Sequence, residues 1–405
     1  HRCAALSVSD PLRMARTVCS AARSSSSAEV RPMWTQGRAI GADDEAMAIS
    51  TSDAAHLLRR TRFGVSPADL EMIASCRHRR QAVSRVLAVG GEPTVDPPDV
   101  ADADGISPEW WRLTAWWLEQ MRSGGAGIVE KLTLFWHDHF VTALDKCRSV
   151  ELLAQQHGTL RRHALGNFHD LTQAMAVDPA MLVYLDNWVN WSHGPQENFA
   201  RELVELFTLG VGAYDEADVG ELARAWTGHG LSGDFHRHEF YGQFHDNGPK
   251  SIFGLAPRNW DGPDTITEIL RGTKAVPASE FIAAKVFSHL AYPVAATETP
   301  IPDLARRFRQ SGLDIEVLVR DVLSTSEFWS PRARHALVRS PIEWMVAAAT
   351  ALDLPIDDVI GPFDLMATGQ VPFGHPNVDG WGANQYWIST GAAWSRGAWA
   401  AKVRF

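Results

Sequence analysis

Apolar residues return every three or four positions through most of this chain, which is the spacing of a helix face rather than the alternation of a strand. The pattern predicts helices over about 53–62, 67–75, 108–122, 127–144, 148–165, 167–177, 196–209, 215–227, 278–290, 301–310, 314–325 and 340–352. Asp178-Pro179 opens a further short helix through Tyr184, and Ser66-Pro67-Ala68-Asp69 reads as a cap and first turn. Gly90 to Ser107, rich in Gly, Pro and Asp, reads as a flexible loop. The one clear β signal is Glu239 to Phe253, where Asp246-Asn247-Gly248 marks a hairpin turn. The expected fold is mainly α, a multi-helix globular domain with a small β-hairpin insertion.

Chemistry concentrates in Gln196 to Gly210, QENFARELVELFTLG, which starts after the breaker pair Gly194-Pro195 and stops at a glycine. Steps of about 100° put Phe199, Leu203, Leu206 and Phe207 on one side. Asn198, Glu202 and Glu205 form a polar stripe bordering that face, while Glu197 and Arg201 stand at i, i+4 round the other side. Two carboxylates three apart beside a buried seam suit an acid, a base or a metal ligand. The competing reading is a solvated salt-bridge ladder.

In His137-Asp138-His139 the two histidines point about 160° apart on a regular helix, so they cannot share one ion. His139 falls among Ile128, Leu132, Phe135, Trp136 and Phe140, and must find an interior partner as a core residue, a ligand or a base. His137 is expected near the surface. His245 enters the expected hairpin turn, a place from which scaffolds often deliver functional side chains. Asp246 and Asn247 suit the turn itself, and Lys250 just beyond it offers an anion contact or a solvated charge. His236 and His238 would share a face if the strand reached them, and His375 stands isolated in a proline-rich segment.

Composition narrows the picture. The 405 residues are 45% hydrophobic and 21% charged, ordinary for a soluble globular protein. A net charge of −10 argues against nucleic acid or an anionic membrane as partner, and no apolar run is long enough to span a bilayer. Cys3, Cys19, Cys76 and Cys147 are scattered, which favours reduced thiols and a cytoplasmic setting. Several of the 16 tryptophans sit in pairs or near-pairs, as core packing or as an aromatic sugar platform. Residues 1–46 lack sustained apolar periodicity and the apolar stretch of a secretory signal. They read as a disordered tail or a mis-called extension, with Met47 a natural start to one domain over 47–405. There is no nucleophile elbow, phosphate-binding Gly-rich loop, H-E-x-x-H or zinc-ribbon spacing.

Read together, AAHLLRRTRFG, EKLTLFWHDHFVT, ALGNFHDLTQAMAVDPAMLVYLDN, the 196–210 helix, DVGELARAWTG, HDNGPKSIFG and GQVPFGHPNVDGW form an ordered series. The chain resembles the bacterial family known as domain of unknown function 1800 from about Asp53 to Arg396. The resemblance covers His245, Asp246, Gly248 and Lys250 together. It also implies, as a candidate partner, a co-encoded protein of another uncharacterised family. Two readings follow. One is a hydrolase-type enzyme with Glu202, Glu205, His139 and His245 as catalytic groups and Asn198, Arg201, Asp246 and Lys250 at the binding edge. A divalent metal on His139, Glu202 and His245 is the cofactor such a site would take. The other is a non-catalytic scaffold or partner.

Overall fold

The computed structural model describes residues 49–88, 98–123 and 127–403. The expected tail over 1–46, and the stretch of the expected loop up to residue 97, lie outside the described residues.

Helices build the architecture, and among the described residues the strands form one two-stranded antiparallel hairpin. Local chemistry sets the helix starts. Ser50 and Asp53 form a reciprocal cap on Thr51–Thr61, and Ser66 and Asp69 do the same for Pro67–Ala74. Asp53 is also a tertiary anchor, paired with Arg79 and Arg334 while buried. No described helix is long and apolar enough to cross a membrane.

The helix Gly127–His139 runs through the core and is buried on nearly every side. Leu132 and Trp136 have no exposure, each contributing on the order of 1.5–3 kcal/mol by leaving water. Its charges are buried with partners: Glu130 accepts from Arg161 at 2.6 Å and from the Trp117 indole at 3.0 Å, and Lys131 pairs with Glu343. This all-round burial corrects the expectation for His137. A one-sided apolar face would leave His137 outside, but this helix has no outside. His137 is fully buried, accepts from the Phe373 amide at 3.1 Å and packs on Trp117. Trp110, Trp117, Trp136 and Trp226 are likewise core residues.

Two other elements differ from expectation. The hairpin pairs His229–Leu231 with His238–Phe240, so it lies earlier than Glu239 to Phe253. Asp246-Asn247-Gly248 is still a turn, closed by the Gly248 amide on Asp246 Oδ1 at 2.8 Å, but no strand ladder flanks it. The 196–209 helix is α only over Asn198–Glu202; Leu203–Thr208 is wound as a π-helix. A π-turn adds a residue per turn and often accompanies a functional site.

The C-terminal loop reaches back to the central helix. The Leu144 amide bonds Phe373 O at 2.8 Å and the Trp110 indole bonds Pro372 O at 3.0 Å, with Phe373 fully buried. These contacts bring Gly380 and Trp381 against Asp138.

Candidate functional site

Glu202 ends the α-helical turn at the point where the π-helix begins. Partial burial, then the nearby Glu205 and Asp379 carboxylates, push its carboxyl up to about 7, against a small opposing pull from Arg201. That pull is small because Arg201 is committed elsewhere, bidentate to Glu216 at 2.8 Å for each contact and 3.2 Å from Glu197. Glu202 therefore has acidic neighbours and, among the described residues, no ion-pair partner. Glu205, one turn on, accepts the Tyr214 hydroxyl at 2.7 Å.

The end of the π-helix is capped from outside. The orphaned Phe207 carbonyl accepts from His139 Nε2 at 3.0 Å, and Leu206 O lies 3.5 Å from Lys285 Nζ. Lys285 lies within the Ala275–Leu290 helix, where burial lowers its ammonium to about 8 although Asp138 and Asp379 attract the proton. Asp138 is its counterpart, raised by burial to about 6 against the opposing Trp381 amide bond and Lys285 charge. These shifts bring the proton affinities of both groups towards neutral pH. Asp138 Oδ1 accepts the Trp381 amide at 2.7 Å, an approach that only a bare backbone at position 380 allows. Gly380 has φ 82°, and a Cβ there would stand 2.8 Å from the Asp138 carbonyl oxygen. His375 stacks on Trp381 with centroids 3.8 Å apart, gives Nδ1–H to Thr142 O and turns Nε2 towards Asp138 at 3.6 Å. Burial holds that imidazole near 4, so it is neutral.

Asp138 also faces a cavity of about 350 Å³, open between the Thr51–Thr61, Gly127–His139 and Ala275–Leu290 helices and the 334–340 and 381–387 segments. Arg59, Arg60, Lys131, Arg334 and Arg339 line it against the two acids Asp138 and Glu343. Burial would raise Glu343, but Lys131 and its hydrogen bond pull that carboxyl down to about 2.

The residues singled out by sequence fall into separate groups. Glu202 and Glu205 share one site, with Arg201 and Asn198 on its helix. Asn198 donates to Asp186 at 3.1 Å, bridging the helix to a neighbouring turn. His139 is 3% exposed and spends its N–H on the Phe207 carbonyl, so it is a buried cap behind the site. His245 packs beside the hairpin: its Nδ1 bonds Thr227 O at 2.8 Å and its ring packs against Phe240. Asp246 pairs with Arg224 at 2.8 Å, and Lys250 donates to the carbonyls of Asp246 and Gly248 at 2.5 and 3.1 Å. That network braces the turn and uses the lysine's hydrogen bonds internally. His236 faces Glu151 at 3.4 Å, while His238 Nε2 lies 3.1 Å from His229 Nδ1. Among the described residues no three His, Cys, Asp or Glu side chains are placed to hold one ion, so His139, Glu202 and His245 do not form the expected metal trio.

Sequence reasoning missed Asp138, Lys285, Asp379 and the arginines. A lysine in the apolar stretch Phe281–Leu290 was a readable signal, because a charge amid such residues must be held by something.

Fold and site together define a mainly α-helical protein with an acid–base cluster beside a cationic cavity. The chain belongs to the family described as protein of unknown function (DUF1800), whose profile matches residues 56–404. Neither the curated proteins nor the solved structures contain a match to it.

Proposed function

We propose that the protein is a hydrolase-type enzyme working by general acid–base catalysis from Glu202 and Glu205, with Asp138 and Lys285 as an auxiliary proton-exchanging pair. The observation that carries this reading is the half-buried Glu202 carboxyl, held near 7 beside two acidic neighbours while Arg201 serves Glu216. A carboxyl divided between its two protonation states at neutral pH is suited to give a proton to a leaving oxygen and take one back. In the proposed step Glu205 removes a proton from water as the water oxygen bonds to the scissile centre. Glu202 gives its proton to the departing oxygen, and solvent exchange restores both carboxyls. The metal-free form is proposed because no described ligand set converges on a point. The setting proposed is cytoplasmic; Cys76 and Cys147 are free thiols.

The test is a panel of chromogenic carboxyl esters, phosphate esters and glycosides assayed from pH 5 to 9. Glu202→Gln should reduce hydrolysis by about 10²–10⁴-fold. Hydrolysis that persists undiminished in Glu202→Gln and Glu205→Gln would overturn the assignment.

The scaffold reading has its own supporting observation. Phe363, Tyr386, Ile388 and Trp394 are exposed by 82, 58, 65 and 79%, an apolar display suited to a protein partner such as the co-encoded one. Replacing Phe363 and Trp394 with serine should abolish co-purification with that partner; unchanged co-purification would remove this reading.

A further inference from the structure

The cavity wall carries more positive charge than its own residues neutralise. Lys131 is paired with Glu343, and Arg334 with Asp53. Arg59 and Arg339 make no ion pair or side-chain hydrogen bond to any described residue. Arg60 donates one N–H to the Ala333 carbonyl at 2.5 Å and leaves its buried Nε without a partner. Three guanidiniums thus line one 350 Å³ cavity without an ion pair to any described carboxylate, Glu343 acting on Arg60 only at longer range. They are close enough to disturb one another. Burial, then Arg339 and Arg334, lower the Arg59 guanidinium, and burial, partly offset by Glu343, with Arg59 and Arg339 adding, lowers Arg60 to about 10. Left unoccupied, such a cluster is a source of repulsion.

The neutral groups on the wall offer donors as well. Gln370 Oε1 accepts the Ile342 amide at 2.9 Å, so the group it has left to offer is its NH2. Asn384 Oδ1 accepts the Val338 amide at 2.9 Å, with the same consequence. Glu343 takes Lys131 and the Ser340 amide at 3.0 Å, and Asp138 Oδ1 takes the Trp381 amide. The two amide oxygens and the Glu343 carboxylate are thus engaged within the protein, which leaves the two amide NH2 groups to offer, while Asp138 remains an acid on the wall.

We propose that this cavity binds a small molecule through a phosphate-type oxyanion, with Arg59, Arg60 and Arg339 as its charge partners and the Gln370 and Asn384 amides completing the donor set. Three guanidiniums and two amides supply more N–H groups than the two oxygens of one carboxylate can accept. A group with three terminal oxygens uses them, and guanidinium forks match its geometry. The volume lies at the lower end of the range for small-molecule sites, so the remainder of the ligand is compact. Asp138 on the same wall would stand beside the bound group. The inference does not depend on Glu202 chemistry, because it concerns binding and is measured without turnover.

The test uses the full chain and two probes, inorganic phosphate and pyrophosphate, titrated calorimetrically against sodium chloride of matched ionic strength. The double variant Arg59→Gln/Arg339→Gln removes the two guanidiniums that no described side chain uses, so it should fold as the parent does; its melting temperature without anion is the control. Arg271→Gln, on a surface arginine outside the cavity wall, controls for the loss of a positive charge elsewhere on the protein. Saturable binding of either probe, retained in Arg271→Gln and weakened about tenfold or more in the double variant, is the expected result. No saturable binding beyond chloride, or binding equal in parent and double variant, would overturn the proposal.

Discussion

Replacing Glu202 with glutamine should make the protein more stable at alkaline pH and leave its stability in mild acid nearly unchanged. The Glu202 carboxyl stands at about 7 in the folded chain against 4.5 for an ordinary glutamate. A raised carboxyl favours folding while protonated, so its contribution is fully present below 4.5 and is lost as pH rises through 7. At about 1.4 kcal/mol per tenfold change in proton affinity, the full difference is roughly 3 kcal/mol. Glu202 keeps some contact with solvent, and screening reduces this to about 1–2 kcal/mol. Glutamine preserves shape and removes the charge, so the unfolding free energy of Glu202→Gln minus that of the parent should grow by this amount between pH 4.5 and pH 8. Urea denaturation followed by circular dichroism at half-unit pH intervals measures it. Parallel pH profiles for the two proteins would refute the reasoning, since Glu202 would then ionise alike folded and unfolded. A stabilised but inactive variant is the pattern expected of a site that sacrifices stability for function.

The remaining predictions concern the frame around the site. Gly380→Ala should destabilise by about 1–3 kcal/mol in urea denaturation, because an alanine would be strained at φ 82° and its Cβ would press on Asp138. His139→Phe should cost roughly 1–3 kcal/mol in the same assay by leaving the Phe207 carbonyl buried without its donor. Lys131→Met should cost about 3–5 kcal/mol by stranding the Glu343 charge, and the double change with Glu343→Gln should recover much of that loss. Arg339→Gln should leave the anion-free melting temperature equal to or above the parent's, since it removes repulsion on Arg59 and Arg60.

Most helices were legible because an amphipathic face repeats within a dozen residues, although Arg79–Leu87, Gly262–Arg271 and Thr390–Lys402 were not read from it. Capping signals such as Ser66 with Asp69 placed their ends correctly. What escaped depends on contacts distant in sequence. A regular 3.6-residue period cannot register the π-helix at Leu203–Thr208, whose end is held by His139 and Lys285 from two other helices. His137 was misread because sidedness assumes a solvent face that the central helix lacks. The hairpin was misplaced because Asp246-Asn247-Gly248 has a turn's composition but serves Arg224 and Lys250 instead of two strands. Glu202 and Glu205 could be picked from their spacing within one helix. Asp138 and Asp379 could not, and Lys285 offered only its charge amid apolar residues, because the folded chain alone brings the three within electrostatic reach of one another.

The central claim is that Glu202 holds its proton close to neutral pH, and its carboxyl carbon reports this directly. With ¹³C-labelled glutamate and the Glu202→Gln variant to assign the signal, an NMR titration should show a midpoint near 7 for Glu202. A midpoint in the ordinary glutamate range, about 4.3, would contradict the account, because the group would be fully ionised where the proposed chemistry needs its proton.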